Sequence, residues 1–358
     1  MSSDVLVFVG TYTRGGGDGI CPYALDLSSG ALTRLPGAGR VENPSFLALA
    51  PGGTRLYAVS ETESFAGGQS GAVSAFAVDK ATGDLQLINQ QSSAGRSPCF
   101  VSVDATGTSA LVANYSSGNV ARLPIHADGS LGAASGTGQH QGKSVNPRRQ
   151  QGPYAHSIYP DPTNRFALAV DLGIDRIITY RLAADGTLPL HEGPPTAVAP
   201  GAGPRHFAFH PSGRFGYAIT ELANTVVAFR YDADAGRLHE IHTISTLPWG
   251  WTAESYCAEV QLSPDGRFLY GSNRYHDSLA VFAVDSETGR LSLVEIVPCG
   301  VKHPRHFGID PTGAYLLSAG MESNDIVVFA RDAETGRLTP TAHRVELPRP
   351  VCVRFLAR

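Results

Sequence analysis

The chain has 358 residues, 42% hydrophobic and 17% charged, with 40 Gly and 24 Pro, which is too much apolar material for a disordered chain. Its formal charge is 28 − 32 = −4, and only Lys80, Lys143 and Lys302 among the 28 cations are Lys, so there is no basic surface of the kind nucleic acid selects. Cys21, Cys99, Cys257, Cys299 and Cys352 are odd in number, widely spaced and without a CxxC pair, which fits free thiols in a reducing compartment and a cytoplasmic location.

The N-terminal MSSDVLVFVGTYT has no cationic start followed by a long apolar stretch, and nowhere do ~18 apolar residues run together, so neither a secretory signal nor a membrane span is expected. VLVFVGTY, GICPYALDL and ALTRL then read as three strands. From Asn43 onward one phrase recurs six times: NPSFLALAPGGTRLYAVSE, SPCFVSVDATGTSALVANY, AHSIYPDPTNRFALAVDL, PRHFAFHPSGRFGYAITE, CAEVQLSPDGRFLYGSNR and PRHFGIDPTGAYLLSAG. Taking the residue two before each turn Gly, or its counterpart, the landmarks fall at 51, 105, 162, 211, 264 and 311, giving spacings of 54, 57, 49, 53 and 47. Each copy contains a first run, a Pro-x-Gly type turn, a second run ending in a polar residue, and a third and fourth run joined by turns such as DSETGRL. Four short strands per ~50 residues, with no helical periodicity between them, predict a propeller blade.

The C-terminal PVCVRFLAR resembles the first strand that the N-terminal trio lacks. Pairing the two termini in one sheet makes a seventh blade and removes the open sheet edge. The predicted architecture is therefore all-β, a single seven-bladed propeller domain over residues 1–358. Two segments exceed the repeat, His126 to Pro153 and Ser245 to Tyr256. Both are expected between the last strand of one blade and the first of the next; long ordered insertions on a rigid scaffold are usually functional, and the alternative for the Gly/Ser-rich opening of the longer one is a mobile loop.

Because the first two strands of a copy are antiparallel neighbours joined at one end, the start of the first and the end of the second share the opposite face. The first-strand starts read Ser45-Phe46, Cys99-Phe100, His156-Ser157, Arg205-His206, Ala258-Glu259 and Arg305-His306. The second-strand ends read Ser60-Glu61, Asn114-Tyr115, Asp171-Leu172, Thr220-Glu221, Asn273-Arg274 and Gly320-Met321. Small or apolar residues would serve structure in these slots, yet copies three to six place His, Arg, Glu and Asp there. His156, Arg205, Glu221 and Arg274 are the candidate catalytic set at one channel mouth. Arg305, His206, His306, Asp171, Asn114 and Glu61 are the candidate substrate contacts.

No GxSxG, GxGxxG or GxxxxGK[ST] occurs, and the Gly15 to Gly19 run precedes no helical pattern, so serine-elbow and phosphate-loop chemistries find no support. His206 and His210 are four residues apart on a strand, about 13 Å, too far to share an ion. No metal and no cofactor is expected. What remains is acid/base chemistry on a small anion. Arg205 and Arg274 offer permanently charged forks for carboxylate or phosphate, and His156 and Glu221 can each exchange protons.

At GPYAHSIYPDP, DLGIDRI, GPRHFAFHP, AEVQLSPDGRFLYGSNRYHDSL and PRHFGIDPTG, and in the opening FVGTYT and the NPRRQ before the third blade, the chain resembles the lactonase propeller family. That family joins cytoplasmic 6-phosphogluconolactonases to the fungal carboxymuconate lactonizing enzyme. The resemblance implies the seven-bladed fold and a site of one His, two Arg and one Glu, matching His156, Arg205, Arg274 and Glu221. The Arg pair would bind the anionic group and polarise a lactone carbonyl, while His156 and Glu221 handle protons. Tyr154 departs from the family pattern, since many relatives read PHAHS with a His there. The implied reaction is hydrolysis of a sugar lactone, foremost 6-phospho-D-glucono-1,5-lactone in the pentose phosphate route, by a monomer or homodimer. The alternatives are a cycloisomerase or lactonase acting on a muconate-type or unphosphorylated lactone, and a non-catalytic interaction scaffold.

Overall fold

The computed structural model describes residues 4–358; Met1 to Ser3, part of the N-terminal start read above, lie outside the described residues. Seven four-stranded antiparallel sheets form the propeller. Blade 1 consists of Leu47–Leu49, Arg55–Ser60, Ala72–Val78 and Leu85–Ser92, and blade 2 of Pro98–Val103, Ser109–Asn114, Asn119–Pro124 and Gly136–Gln139. Blade 3 has Ala155–Pro160, Phe166–Asp171, Arg176–Arg181 and the short Thr196–Ala197; blade 4 has Pro204–Phe209, Phe215–Thr220, Thr225–Asp232 and Arg237–Ser245. Blade 5 follows with Tyr256–Leu262, Phe268–Arg274, Ser278–Val284 and Leu291–Pro298, and blade 6 with Pro304–Ile309, Tyr315–Gly320, Asp325–Arg331 and Leu338–Glu346. In blade 7 the C-terminal Pro350–Ala357 lies beside Asp4–Thr11, followed by Ile20–Asp26 and Leu32–Arg34. The register Val5↔Ala357 to Gly10↔Cys352 closes the ring as the sequence predicts.

The first strand of every blade lines the channel, and the second is sandwiched between neighbouring blades. Phe215–Thr220 is buried at every position, which is why such runs read as uninterrupted apolar segments rather than alternating ones. Fourth strands such as Arg237–Ser245 carry mostly exposed or half-buried side chains. Apolar side chains knit adjacent blades together: Phe166, Leu168 and Val170 of blade 3 pack with Phe207 and Phe229 of blade 4, each fully buried Phe contributing about 1.5–3 kcal/mol. Tyr57, Tyr217 and Tyr270 add polar pegs, their hydroxyls donating to the carbonyls of Gly129, Gly289 and Gly336 in the next blade at 3.0, 3.1 and 2.8 Å.

Two local features depart from the sequence reading. Gly136–Gln139 pairs with Asn119–Arg122 and supplies the fourth strand of blade 2, so the longer extra segment is partly strand and only the part after it is inserted. Its Gly-Thr-Gly-Gln sequence carries no strand signal. The glycines are there because a Cβ would strike Leu188 at Gly136 and the Tyr180 ring at Gly138. The second departure lies at the start of the inner strands. The pairing skips one residue at Cys99, His156, Arg205 and Arg305, and the pair Ala258-Glu259 opposes a single Ser272. A bulge recurs at the same level in blade after blade, and bulges turn a side chain away from its regular direction.

Candidate active site

The bulged residues and the residues that follow the second strands meet at one mouth of the channel. Glu221 is its electrostatic centre. Its Oε2 contacts Arg205 Nε at 3.1 Å and Arg274 at 2.8 Å, and its Oε1 accepts from Arg149. Burial pushes the Glu221 carboxyl up, but Arg274 and Arg205, helped by Arg149, outweigh it and hold the group well below the usual carboxylate range. Glu221 is therefore a fixed anion that collects three cationic forks.

Each fork is also held by a second group. Arg205, 2% exposed, donates to the Ala258 carbonyl at 2.7 Å, and burial, with Arg305 and Arg274 nearby, pushes its guanidinium down to about 10. Arg274 donates to the carbonyls of Cys257 and Tyr256. Arg149 lies over the Tyr256 ring, 5.4 Å from its centroid. Arg305 differs, since it is half-buried, sits 5.7 Å over the Tyr12 ring, and has no ion-pair partner among the described residues. Tyr12 in turn donates to Glu61 Oε2 at 2.9 Å. Four guanidiniums thus face two carboxylates, leaving a cationic mouth.

His156 is buried beside Tyr115, with its Nδ1 3.8 Å from Cys99 Sγ. Burial, and then Arg205 and His206, hold its pKa well below the ordinary imidazole value, so the ring is neutral near pH 7. One level deeper, His206 Nδ1 meets Glu259 Oε2 at 2.8 Å and His306 Nε2 meets the same oxygen at 3.3 Å. Phe46 packs edge-on against both rings.

Of the ten candidate residues, His156, Arg205, Glu221, Arg274, Arg305 and Glu61 come together at the mouth. His206 and His306 do not reach it; they form a buried layer beneath with Glu259. Asn114 and Asp171 point elsewhere. Asn114 Nδ2 donates to the Ser93 carbonyl, and Asp171 accepts from His140 and from the N–H groups of Tyr154 and Gly173. The reason is strand alternation: Asn114 and Asp171, like Asn273 before the channel-facing Arg274, turn toward the connecting loops, and the next residue turns toward the channel. The expected substrate contacts at Asn114 and Asp171 are therefore corrected to structural roles.

Two residues of the mouth escaped the sequence reading. Tyr12 follows the second strand of blade 7, so extending the slot alignment to that blade would have found it. Arg149 belongs to no repeat, and only the structure brings its loop over Glu221. Among the described residues no group of three or more His, Cys, Asp or Glu side chains is arranged to hold a metal ion, all five Cys are free and buried, and no helix is long and apolar enough to cross a membrane.

Comparison with known proteins adds to this geometry. The family model described as lactonase, 7-bladed beta-propeller, matches residues 6–355. A 6-phosphogluconolactonase of Bacillus subtilis is 42% identical over 349 residues, 98% of this chain and 97% of that one. A 6-phosphogluconolactonase of Formosa agariphila is 35% identical, covering 85% and 86% of the two chains. The solved structure of a periplasmic gluconolactonase of Pseudomonas aeruginosa superposes with a TM-score of 0.93 at 34% identity, covering 99% of both.

Proposed function

Because the chain belongs to the seven-bladed β-propeller lactonases, we propose that it hydrolyses a sugar lactone, 6-phospho-D-glucono-1,5-lactone, to the open acid at the Glu221 mouth. The observation that carries this reading is the cationic cluster, in which Glu221 ties Arg149, Arg205 and Arg274 while Arg305 makes no direct ion pair among the described residues. A half-buried guanidinium that makes no direct ion pair is poised to make one with the substrate.

Hydrolysis adds water across the bond between the carbonyl carbon and the ring oxygen. The water oxygen bonds to the carbon, the carbonyl oxygen becomes an oxyanion, and on collapse the ring oxygen leaves and takes a proton. Neutral His156 accepts the proton from water and returns it to the ring oxygen. Glu221 is a poor proton acceptor while three guanidiniums stabilise its charge, so its part is to fix those guanidiniums. Arg205 and Arg274 act on the oxyanion, held in place before charge develops. Arg305 and the more exposed Arg149 hold the anionic tail. In this division of labour the six-residue set gives the catalytic roles to His156, Arg205 and Arg274.

The test is a comparison of kcat/KM for 6-phosphoglucono-1,5-lactone and glucono-1,5-lactone. Preference for the phosphorylated substrate supports the reading. Preference for the unphosphorylated one favours a second reading, which the name of the Pseudomonas aeruginosa relative suggests. A cytoplasmic location is supported by the five unpaired thiols, although that relative is described as periplasmic; cell fractionation decides between them.

A further inference from the structure

The turn that follows Arg274 differs from its counterparts in the neighbouring blades. Tyr275 holds φ at 68° and Asp277 at 53°. A left-handed Asp or Asn is an ordinary turn residue, and Asp175, Asn224 and Asn324 occupy the matching place in blades 3, 4 and 6 with φ at 54°, 54° and 59°. A left-handed Tyr is an outlier, because its Cβ crowds the carbonyl that follows. The residues at its own place in those blades, Gly173, Leu222 and Glu322, stay out of that region.

The turn is clamped in this conformation. Asp277 accepts the Cys299 N–H on its carbonyl at 3.0 Å and the His303 N–H on its carboxylate at 2.9 Å, which ties it to the loop entering blade 6. A costly backbone conformation persists only where its surroundings fix it, and such residues cluster at functional sites. What this one achieves is the placement of a ring. Tyr275 is 49% exposed, yet it is set nearly perpendicular to two aromatic neighbours, Tyr256 at 5.8 Å and His303 at 5.1 Å between centroids. Tyr256 carries the Arg149 and Arg274 guanidiniums over its own ring, at 5.4 and 5.9 Å, so Tyr275 stands one ring away from the cations that Glu221 gathers. Burial, and then Arg274 and Arg305, hold down the pKa of His303, which puts the other neighbour beside the same charges.

Guanidiniums bind an anionic tail and a developing oxyanion, but they offer little to the carbon skeleton between them. One face of a sugar lactone ring presents C–H bonds, and the negative face of an aromatic ring attracts them. We propose, on the reading that this mouth hydrolyses a sugar lactone, that Tyr275 is a specificity-determining residue whose ring packs against the C–H face of the lactone ring, while Arg305 and Arg149 hold the anionic tail. The strained turn is what keeps that ring at the rim.

Steady-state kinetics on 6-phosphoglucono-1,5-lactone and glucono-1,5-lactone, together with thermal unfolding, test this with three variants. Tyr275→Ala and Tyr275→Gly should raise KM at least fivefold, equally for both lactones, with kcat changed less than threefold. Tyr275→Phe, which keeps the ring, should stay within twofold of wild type. Stability should follow the backbone instead: Tyr275→Gly, unstrained at positive φ, should melt about 1–2 °C above Tyr275→Ala. A KM unchanged in Tyr275→Gly, a rise confined to the phosphorylated lactone, a loss carried by kcat, a Tyr275→Phe variant as impaired as Tyr275→Ala, or a Tyr275→Gly variant that melts no higher than Tyr275→Ala would each overturn the proposal. Wild-type protein that turns over neither lactone would overturn the lactonase reading and this role with it, whereas wild-type turnover with KM indifferent to the ring overturns the role of Tyr275 alone.

Discussion

Arg205 and Glu221 sit at opposite ends of one hairpin in sequence, yet their side chains meet at 3.1 Å with only 2% and 5% of their surface exposed. The bulge at Arg205 makes this possible, because a residue in regular register there would alternate away from its neighbour's successor. The pair is the nucleus on which Arg274 and Arg149 assemble.

Replacing that nucleus, Glu221→Gln, leaves three guanidiniums facing one another without an anion. Removing one partner of a buried ion pair costs about 3 kcal/mol, so urea unfolding should show a loss of that order and kcat/KM should fall at least a hundredfold. The pH dependence has a sign. Glu221 titrates below its unfolded value of about 4.3, so its contribution is fully present above that pH and is lost as the pH falls further, through the folded pKa. The stability gap between wild type and Glu221→Gln should be constant from about pH 5 to 7 and narrow below pH 4; a gap unchanged down to pH 3 would contradict the assignment.

Arg305 makes no direct ion pair among the described residues, so its removal should cost binding rather than fold. A charge-assisted contact contributes about 1.5–3 kcal/mol, and its loss should raise KM for the phosphorylated lactone at least tenfold with kcat changed less than threefold. For glucono-1,5-lactone, which carries no phosphate, the same variant should change KM by less than threefold. Equal losses on both substrates would move Arg305 from the anionic tail to the reacting carbonyl.

The repeat made the fold legible. Turn landmarks about 50 residues apart can be read without side-chain geometry, and closure follows from a missing first strand at one end and a spare one at the other. The site was legible only to within one residue. The slots identified Glu221 and Arg274 correctly as channel-facing, but the same slots included Asn114 and Asp171, which alternation turns toward the loops. The bulges that aim His156, Arg205 and Arg305 leave no composition signal, because a bulge is a matter of backbone register. Arg149 was illegible for another reason: its loop is placed by hydrogen bonds to distant residues, and no local pattern encodes where such a loop lands.

His156 is held neutral by burial and neighbouring charge, so kcat/KM should show no acid limb near pH 6.5 and should fall only well below it. His156→Asn should lower kcat at least a hundredfold, in the range expected for loss of a general base. Stability should behave differently from rate. Burial pushes His303 and His306 down to about 3, while in the unfolded chain they take up protons near pH 6.5. The unfolded state therefore binds more protons between those limits, and stability, complete above about pH 6.5, declines as the pH falls toward 3. Thermal melts at pH 7, 6 and 5 should show a falling Tm while initial rates at 25 °C hold; a shared midpoint for both would place the rate loss in unfolding.

Asp175 decides where the Arg149 loop lands, although it touches no part of the mouth. It is 1% exposed, and its Oδ1 accepts from Gln150 Nε2 at 2.8 Å and from the Gly203 N–H at 2.7 Å. Its Oδ2 accepts from the Gly201 N–H at 2.6 Å and from Ser144 Oγ. Gln150 adjoins Arg149, and the Gly203 carbonyl accepts the backbone N–H of Glu221 at 2.7 Å, so one carboxylate fixes both partners of the Arg149–Glu221 ion pair. Asp175 also holds φ at 54°, a conformation that Asn tolerates and Ala does not. Asp175→Ala should therefore cost about 3 kcal/mol through strain and orphaned donors, and lower kcat/KM at least tenfold. Asp175→Asn keeps the backbone and one acceptor oxygen and should fall between it and wild type. Hydrogen exchange distinguishes positioning from general weakening: in Asp175→Asn, amides of residues 144–150 and 201–203 should exchange faster while the inner strands of blades 5 and 6 keep their protection. Uniform acceleration across all blades would mean that Asp175 supports the fold as a whole and not this loop.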